Sequence, residues 1–582
     1  MRGLESFNEV VVVDFEFRQP EGERPEPVCV VAHELVSGRR HRRMLTSKVP
    51  SASPYPVDET TLVVAYYAAA EMGCHLSLGW TLPVHVLDLY AEFRNLTNGL
   101  ELPGGRSLLD ALVYHGLDAM EAVEKERLRQ LAMRGGPYTE EEERALVDYC
   151  EEDVVATTKL LSAMLPQLDV PRAVLRGRYM KSVARMERTG VPIDTGSLAK
   201  LRRRWEPIQD NLVRRVDAGY GVYEGRTFKQ DRFAGYVGGQ NIEWPKLESG
   251  RLALDDDTFR RMAQLYPQLE PVRQLRTMLS QMRLADLAVG HDGRNRCMLS
   301  PLAAKTGRNQ PSNTRFIFGP AAWMRGLIQP EPGRGLCYVD WSQQEFGIAA
   351  ALSGDRAMQA AYNSGDPYLS FAQQAGAAPE DATKASHRAV REQFKQCALA
   401  VQYQMGAESL AARIGQPVYR AEELLRLHRA TYPVYWRWSE AATDYARLHR
   451  ELPSVFGWRL HVTAETKSRT IANYPMQANG AEMLRLASCL ATERGVEVCA
   501  PVHDALLIEA PLAELDEQVR RTQAAMEEAS RVVLDGFRLR SDAKRVVAPG
   551  RYEDEKGAAM WKLVWEVVAE LEEEEARSAA WL

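Results

Sequence analysis

The chain has no cysteine pair at CxxC spacing and no Cys/His cluster at zinc-ligand spacing, so neither a structural zinc nor a dithiol redox pair is expected. Its eight cysteines, Cys29, Cys74, Cys150, Cys297, Cys337, Cys397, Cys489 and Cys499, are scattered and read as buried thiols of a reducing compartment. The opening residues MRGLESFNEV carry acidic side chains and no apolar run, which predicts no secretory or transit signal. Membrane-spanning runs are missing too: VVAYYAAAEM is short and contains Glu71. No internal repeat is visible. The net charge of -6 supplies no overall attraction for nucleic acid, although arginines gathered on one face would be compatible with it.

What is present is enough for several cores. At 582 residues, 45% hydrophobic and 26% charged, the chain is expected to form three or four compact units of an ordinary globular protein. A first block, to about residue 165, opens with the β-like run EVVVVDFEF and closes with the amphipathic stretch EEEERALVDYCEEDVVATTKLLSAML. PQLDVPRAV, with two prolines, reads as a linker before an arginine-rich helical stretch from about Arg176 to Arg215. From roughly residue 295, short apolar strands alternate with long amphipathic helices, which predicts an α/β body. The glutamate-rich tail LEEEEARSAAWL reads as a solvated helix end without chemistry.

Two acids stand out in that body. GLCYVDWSQQEFGIAA delivers Asp340 at the end of an apolar strand, and VCAPVHDALLIEAP carries His503 and Asp504 inside a second apolar run. Aspartates on separate strands can hold two magnesium ions, which take hard oxygen ligands and leave positions for phosphate and water. A helix cap at Asp340 and a turn at Asp504 would explain the two acids equally well, so context must decide. It comes from KASHRAVREQFKQCALAVQYQMG, where Arg391, Lys395, Leu399 and Tyr403 fall four apart on one slowly spiralling stripe. Cations at one end and an apolar, then aromatic, surface at the other suit a nucleoside triphosphate; a solvated basic face is the rival reading.

DWSQQEF, the Arg391 helix and VHDA resemble motifs A, B and C of the family A DNA polymerases, in the family's order. TGR at Thr306 to Arg308, ALSGD ending at Asp355, RTIANYPMQANGAE and MERTGVPID extend the resemblance from about residue 175 to the end. The resemblance implies a right-hand polymerase in which Asp340 and Asp504 are metal ligands and Arg391 and Lys395 meet the triphosphate. It makes Glu345, with Gln344 beside it, a gate against the ribose 2′-hydroxyl, and it has Tyr403 close beside the nascent pair. Arg308, Asn473, Gln477 and His503 would hold primer and template through contacts shared by all correct pairs. The chain departs from the family at Leu399, where an aromatic is usual, at Gln404 for glycine, at Ala505 for an acid and at Trp341 for tyrosine.

In the first block, DFE places Asp14 and Glu16 on one strand face, and Tyr149 and Asp153 in YCEEDVVAT are one helical turn apart. They resemble the first and third motifs of the DEDDy 3′–5′ exonucleases. The second motif is open between Glu71, in AYYAAAEMGCH, and Asp88, in VLDLYAEFR. The implied fold class is multidomain α/β: a ribonuclease-H-like exonuclease domain over 1–165, thumb and start of the polymerase over 175–300, and palm and fingers over 301–582, with fingers about 357–470. The implied cofactors are two Mg²⁺ ions per site, with Mn²⁺ as substitute. Primer–template DNA and deoxynucleoside triphosphates are the implied partners of a monomer working in the cytoplasm of a bacterial host, with accessory replication proteins beside it. The short stretch ahead of Asp14 predicts that 5′ flap removal belongs to another protein, as in phage-type replication. A single-subunit RNA polymerase and a noncatalytic DNA-binding relative are the rival readings; Glu345 and the front block count against the first, and the retained acids and cations against the second.

Overall fold

The computed structural model describes residues 3–46, 49–117, 122–247, 249–281, 284–319 and 321–580. The first block builds a five-stranded sheet from β1 (Glu9–Arg18), β2 (Glu26–Glu34), β3 (Arg40–Met44), β4 (Thr61–Ala65) and β5 (His85–Asp88), in spatial order β3-β2-β1-β4-β5. β1 pairs antiparallel with β2 and parallel with β4, so it is the central strand. Helices α1 (Ala69–Leu78) and α2 (Leu89–Thr97) follow β4 and β5.

The continuous VVVV of β1 is explained by burial on both faces. Val11, Val13 and Phe15 belong to a core that continues into the rest of the molecule, whereas Val10 and Val12 pack into a separate core with Leu146, Cys150 and Val154 of the helix Glu140–Met164. The block is therefore fused to the body through one face of its sheet. The expected PQLDVPRAV linker is in fact only a tight break: Asp169 caps the helix Val170–Thr189, which Pro171 opens. The reason is that proline is favoured in a first helical turn, where its missing N–H has no intrahelical partner to lose. This helix lies so close to β5 that a Cβ at Gly177 would stand 1.8 Å from the Val86 carbonyl oxygen. A buried pair, Arg176 on it and Glu92 on α2, joins the two sides, with Nε 2.5 Å from Oε1.

The body is centred on a four-stranded antiparallel sheet of Glu497–Val502, Ala505–Pro511, Arg334–Trp341 and Ser541–Val547, in that spatial order. A run of helices fills the chain between Gln344 and His449, and most residues of the long helix Ser468–Glu493 are buried. The acidic tail differs from a solvated end: Ala558–Ala580 is a helix whose Glu570, Glu572 and Glu575 pair with Arg215, Lys200 and Arg204. Charges that read as solvation in one dimension are a strap against the arginine-rich helices in three.

Candidate active sites

Asp340 stands on the third strand of the body sheet, directly opposite Ala505 on one side and Asp542 on the other. The apolar run around Asp504 is two strands, so Asp504 lies in the turn that the rival reading gave it and not within a strand. The two strands are joined by the turn His503–Asp504, with Val502 paired to Ala505 and His503 at φ 57°. A two-residue hairpin turn requires positive φ, and Asp is tolerated beside it. The hairpin brings Asp504 next to Asp340. Burial pushes the Asp340 carboxyl up to about 8, with the Asp504 carboxylate and then Asp542 adding like charge. Its Oδ1 is buried without a hydrogen-bond partner. Crowded, under-satisfied carboxylate oxygens are a donor set that fits a hard divalent cation. Asp542 was missed from sequence because nothing around SDAKRVV marks it; only strand pairing brings it to Asp340.

The basic stretch is a helix, Arg388–Gln402, and Tyr403 forms its C-cap. Tyr403 Oη donates to Glu345 Oε1 at 3.1 Å. Burial raises the Glu345 carboxyl and pushes the Tyr403 phenol up to about 12, while the Arg308 charge opposes both shifts and Asp504 adds to both. The His503 imidazole is lowered by burial, with Asp504 and Arg308 again among its charged neighbours. Asp504, Glu345, Tyr403, Arg308 and His503 are thus one cluster, beside Asp340. Lys395 and Arg391 sit roughly two and three helical turns back from Tyr403, with half-buried Leu399 between. Arg391 Nε donates to Asp366 Oδ2 at 2.5 Å and its guanidinium lies 5.5 Å from the Tyr368 ring centroid; Lys395 Nζ is 3.8 Å from Glu392 Oε1. Gln404, where the family has glycine, adopts φ 48°.

Gln344 is buried against Gly480, where a Cβ would come within 2.9 Å of Gln344 Oε1, and its Nε2 has no partner. Gly480 belongs to the helix Ser468–Glu493, in which every residue from Ile471 to Cys489 is buried except Asn473 and Gln477. Those two amides, one turn apart, are the polar face that this helix leaves open. Two other motif matches are structural: Asp355 caps one helix and accepts from Val434 N and Tyr435 N, and Asp194 caps another.

In the first block, β1 projects Asp14 and Glu16 to one face, and the helix Glu140–Met164 brings Asp153 to them; one carboxylate oxygen from each lies within 4.8 Å of the others. Such a triad fits a divalent cation. Cys150 Sγ donates to Asp14 Oδ2 at 3.3 Å. Glu71, on α1, is buried, and burial followed by the Asp14 charge holds its carboxyl well above the usual range; its Oε2 has no partner. Asp88 is accounted for otherwise, since it caps α2 and accepts from the backbone N–H of Tyr67, Ala68, Tyr90 and Ala91. Tyr149 and Glu16 line a cleft of about 700 Å³ that also meets Arg129, Met298 and Arg315.

A sequence model of DNA polymerase family A matches residues 244–543, just over half of the chain. DNA polymerase I of Chloroflexus aurantiacus is 25% identical over 414 residues, covering 65% of this chain and 44% of that protein. The DNA polymerase of Mycobacterium phage L5 is 23% identical over 400 residues, covering 67% of this chain and 65% of that protein. The chain therefore spans less than two thirds of the length of either relative. The solved POL domain of Pol1 from M. smegmatis, in complex with DNA primer-template and dNTP, aligns with a TM-score of 0.70 at 17% identity, over 94% of this chain and 96% of that one, a likeness of fold. The family match and the arrangement of the Asp340 cluster lead to one assignment: the chain belongs to DNA polymerase family A.

Proposed function

We propose that the chain is a template-directed DNA polymerase that extends a primer 3′ end with deoxynucleotides, joined to a 3′–5′ proofreading exonuclease. The observation that carries the reading is the meeting of Asp504 with Asp340 near the Glu345–Tyr403 pair, at the end of a helix bearing Arg391 and Lys395. Asp340 and Asp504 would hold two divalent cations, Mg²⁺ with Mn²⁺ as substitute. When bound, such ions supply the charge that activates a primer hydroxyl and stabilises departing pyrophosphate. Arg391 and Lys395 grip the triphosphate, Leu399 and Tyr403 face the base, and Glu345, backed by Gln344, fills the space a ribose 2′-hydroxyl would need. Arg308, Asn473, Gln477 and His503 hold primer and template through acceptors common to every correct pair.

In the exonuclease, Asp14, Glu16 and Asp153 are the metal-binding acids, Glu71 is the acid of the second motif and Tyr149 orients the attacking water. The strand order around β1 supports a ribonuclease-H-like unit over 1–165; in the same reading thumb and start of the polymerase take 175–300, and palm and fingers 301–582. Phage-type genome replication in a bacterial cytoplasm, as a monomer with accessory replication proteins, is the setting this reading favours, and a mycobacteriophage polymerase is among the relatives. Primer extension on matched and mismatched ends, with Asp504→Ala and Asp14→Ala alongside, tests it. Asp504→Ala is expected to stop extension and Asp14→Ala to stop end trimming alone; wild-type protein that extends nothing would sink the proposal.

A further inference from the structure

The segment that carries Arg308 is held in place by the block in front of it. Between Ser300 and Arg308 the chain folds into a compact turn in which two residues other than glycine take left-handed backbone, Ser300 at φ 48° and Leu302 at φ 59°, followed by Gly307 at φ 74°. L-residues resist this conformation and keep it only when their surroundings impose it. Backbone bonds inside the turn, Gly307 N to Ala304 O at 2.8 Å and Ala304 N to Arg308 O at 3.1 Å, close it upon itself but do not anchor it.

Much of the anchoring comes from α2. Arg94 donates from Nε to Leu302 O at 2.9 Å and from Nη2 to Ala303 O. Asn98, the C-cap of α2 and almost fully buried, donates from Nδ2 to Lys305 O at 2.7 Å and to Arg459 O at 2.7 Å. One amide thus ties the turn to the hairpin of Glu451–Pro453 and Arg459–His461. That hairpin is docked on the same block through Arg459 N to Asn95 Oδ1 at 2.8 Å and His461 N to Asn98 O at 2.9 Å. The hairpin side adds Trp458 Nε1 to Lys305 O at 3.0 Å. Arg308, at the end of the turn, is among the charges felt by Glu345, Tyr403 and His503.

We propose that Arg94 and Asn98 are positioning residues of the polymerase: from within the exonuclease unit they hold the strained 300–308 turn so that Arg308 meets the primer–template. The inference rests on the polymerase reading above. It makes the front block a structural part of polymerisation, independent of whether it cuts DNA. Three donated hydrogen bonds converge on the carbonyls of Leu302, Ala303 and Lys305 and a fourth on the adjoining hairpin, and their loss takes the side-chain donors from Leu302 and Ala303 and one of two from Lys305, which shifts a strained turn out of its conformation.

The test uses the full chain in an Asp14→Ala background, so that trimming does not obscure binding. Affinity for a primer–template duplex is read by fluorescence anisotropy, and KM for DNA and kcat are measured separately. Asn98→Ala and Arg94→Ala are expected to weaken duplex affinity and raise KM for DNA about tenfold with kcat changed less, and Arg94→Lys to recover part of the loss. Combined with Arg308→Ala, neither should weaken binding further, because both act through that side chain. Lys181→Met is the control; Lys181 clamps the Pro83 and Val84 carbonyls of the same block, away from the turn. Its duplex affinity is expected to be unchanged. Wild-type affinity in Asn98→Ala, an equal loss in Lys181→Met, or full additivity with Arg308→Ala would overturn the inference. Parent protein that neither binds nor extends primer–template would instead overturn the polymerase reading itself.

Discussion

Tyr403 Oη donates to Glu345 Oε1 at 3.1 Å, so the residue that caps the basic helix holds the acid that follows the Asp340 strand. The pair joins two stretches that lie 58 residues apart in the chain. A carboxylate fixed in this way is a rigid obstacle, whereas a free one would rotate aside. Glu345→Ala is therefore expected to let ribonucleotides in, lowering the ratio of kcat/KM for deoxy- over ribonucleotides by on the order of 10²-fold. Tyr403→Phe, which removes one hydrogen bond to an acid, should lower it by about tenfold. Steady-state kinetics with paired substrates measure both, and an unchanged ratio in Glu345→Ala would remove the gate assignment.

Gln404 adopts φ 48°, a conformation that costs an L-residue about 1–2 kcal/mol and glycine almost nothing. The family's glycine at this position is thus explained by backbone geometry, and the chain keeps the geometry without the glycine. Gln404→Gly should stabilise the folded protein by ~0.5–1 kcal/mol once the greater flexibility of unfolded glycine is subtracted. Denaturant unfolding compared with the parent measures the gain, and primer extension should survive.

The two carboxylates that competed for the second exonuclease motif do different work in space. Asp88→Ala removes the acceptor of four backbone N–H groups and is expected to cost about 1–2 kcal/mol of stability while trimming per folded molecule persists. Glu71→Gln should leave stability equal or higher, since a carboxyl whose ionised form burial and the Asp14 charge disfavour is replaced by a neutral amide, and reduce trimming by on the order of 10²-fold. Thermal unfolding and single-strand digestion, run on both variants, separate the roles; trimming lost in Asp88→Ala but kept in Glu71→Gln would reverse the assignment.

Local periodicity carried most of what the sequence revealed. Asp14 and Glu16 share a strand face because side chains alternate, and Tyr149 and Asp153 share a helix face because they are one turn apart; both follow from short-range geometry. The long-range relationships stayed hidden. Asp542 faces Asp340 only through strand pairing, Asp366 reaches Arg391 from a different helix, and the tail glutamates find their arginines more than 350 residues away. The VHDA turn stood in the sequence only as one of two readings, because a hairpin between two buried strands looks like one continuous apolar run.

Without bound metal, the Asp340 carboxyl titrates near 8 in the folded chain, against an unfolded value near 3.8. The sign follows from linkage: between these values the folded state binds the extra proton, so the contribution of this group is fully present below about 4 and lost as pH rises toward 8. A metal-free chain should thus be less stable at pH 8 than at pH 6 on account of this group. A divalent cation, which binds the ionised pair, should restore more at pH 8 than at pH 6. Asp340→Asn carries no such charge and is expected to raise the metal-free melting temperature at pH 8 by about 1–2 °C, and to respond little to Mg²⁺. Thermal unfolding at the two pH values, with EDTA or Mg²⁺, reads all of this without any catalytic assay. Equal Mg²⁺ stabilisation of parent and Asp340→Asn would mean that the cation does not bind where these acids meet.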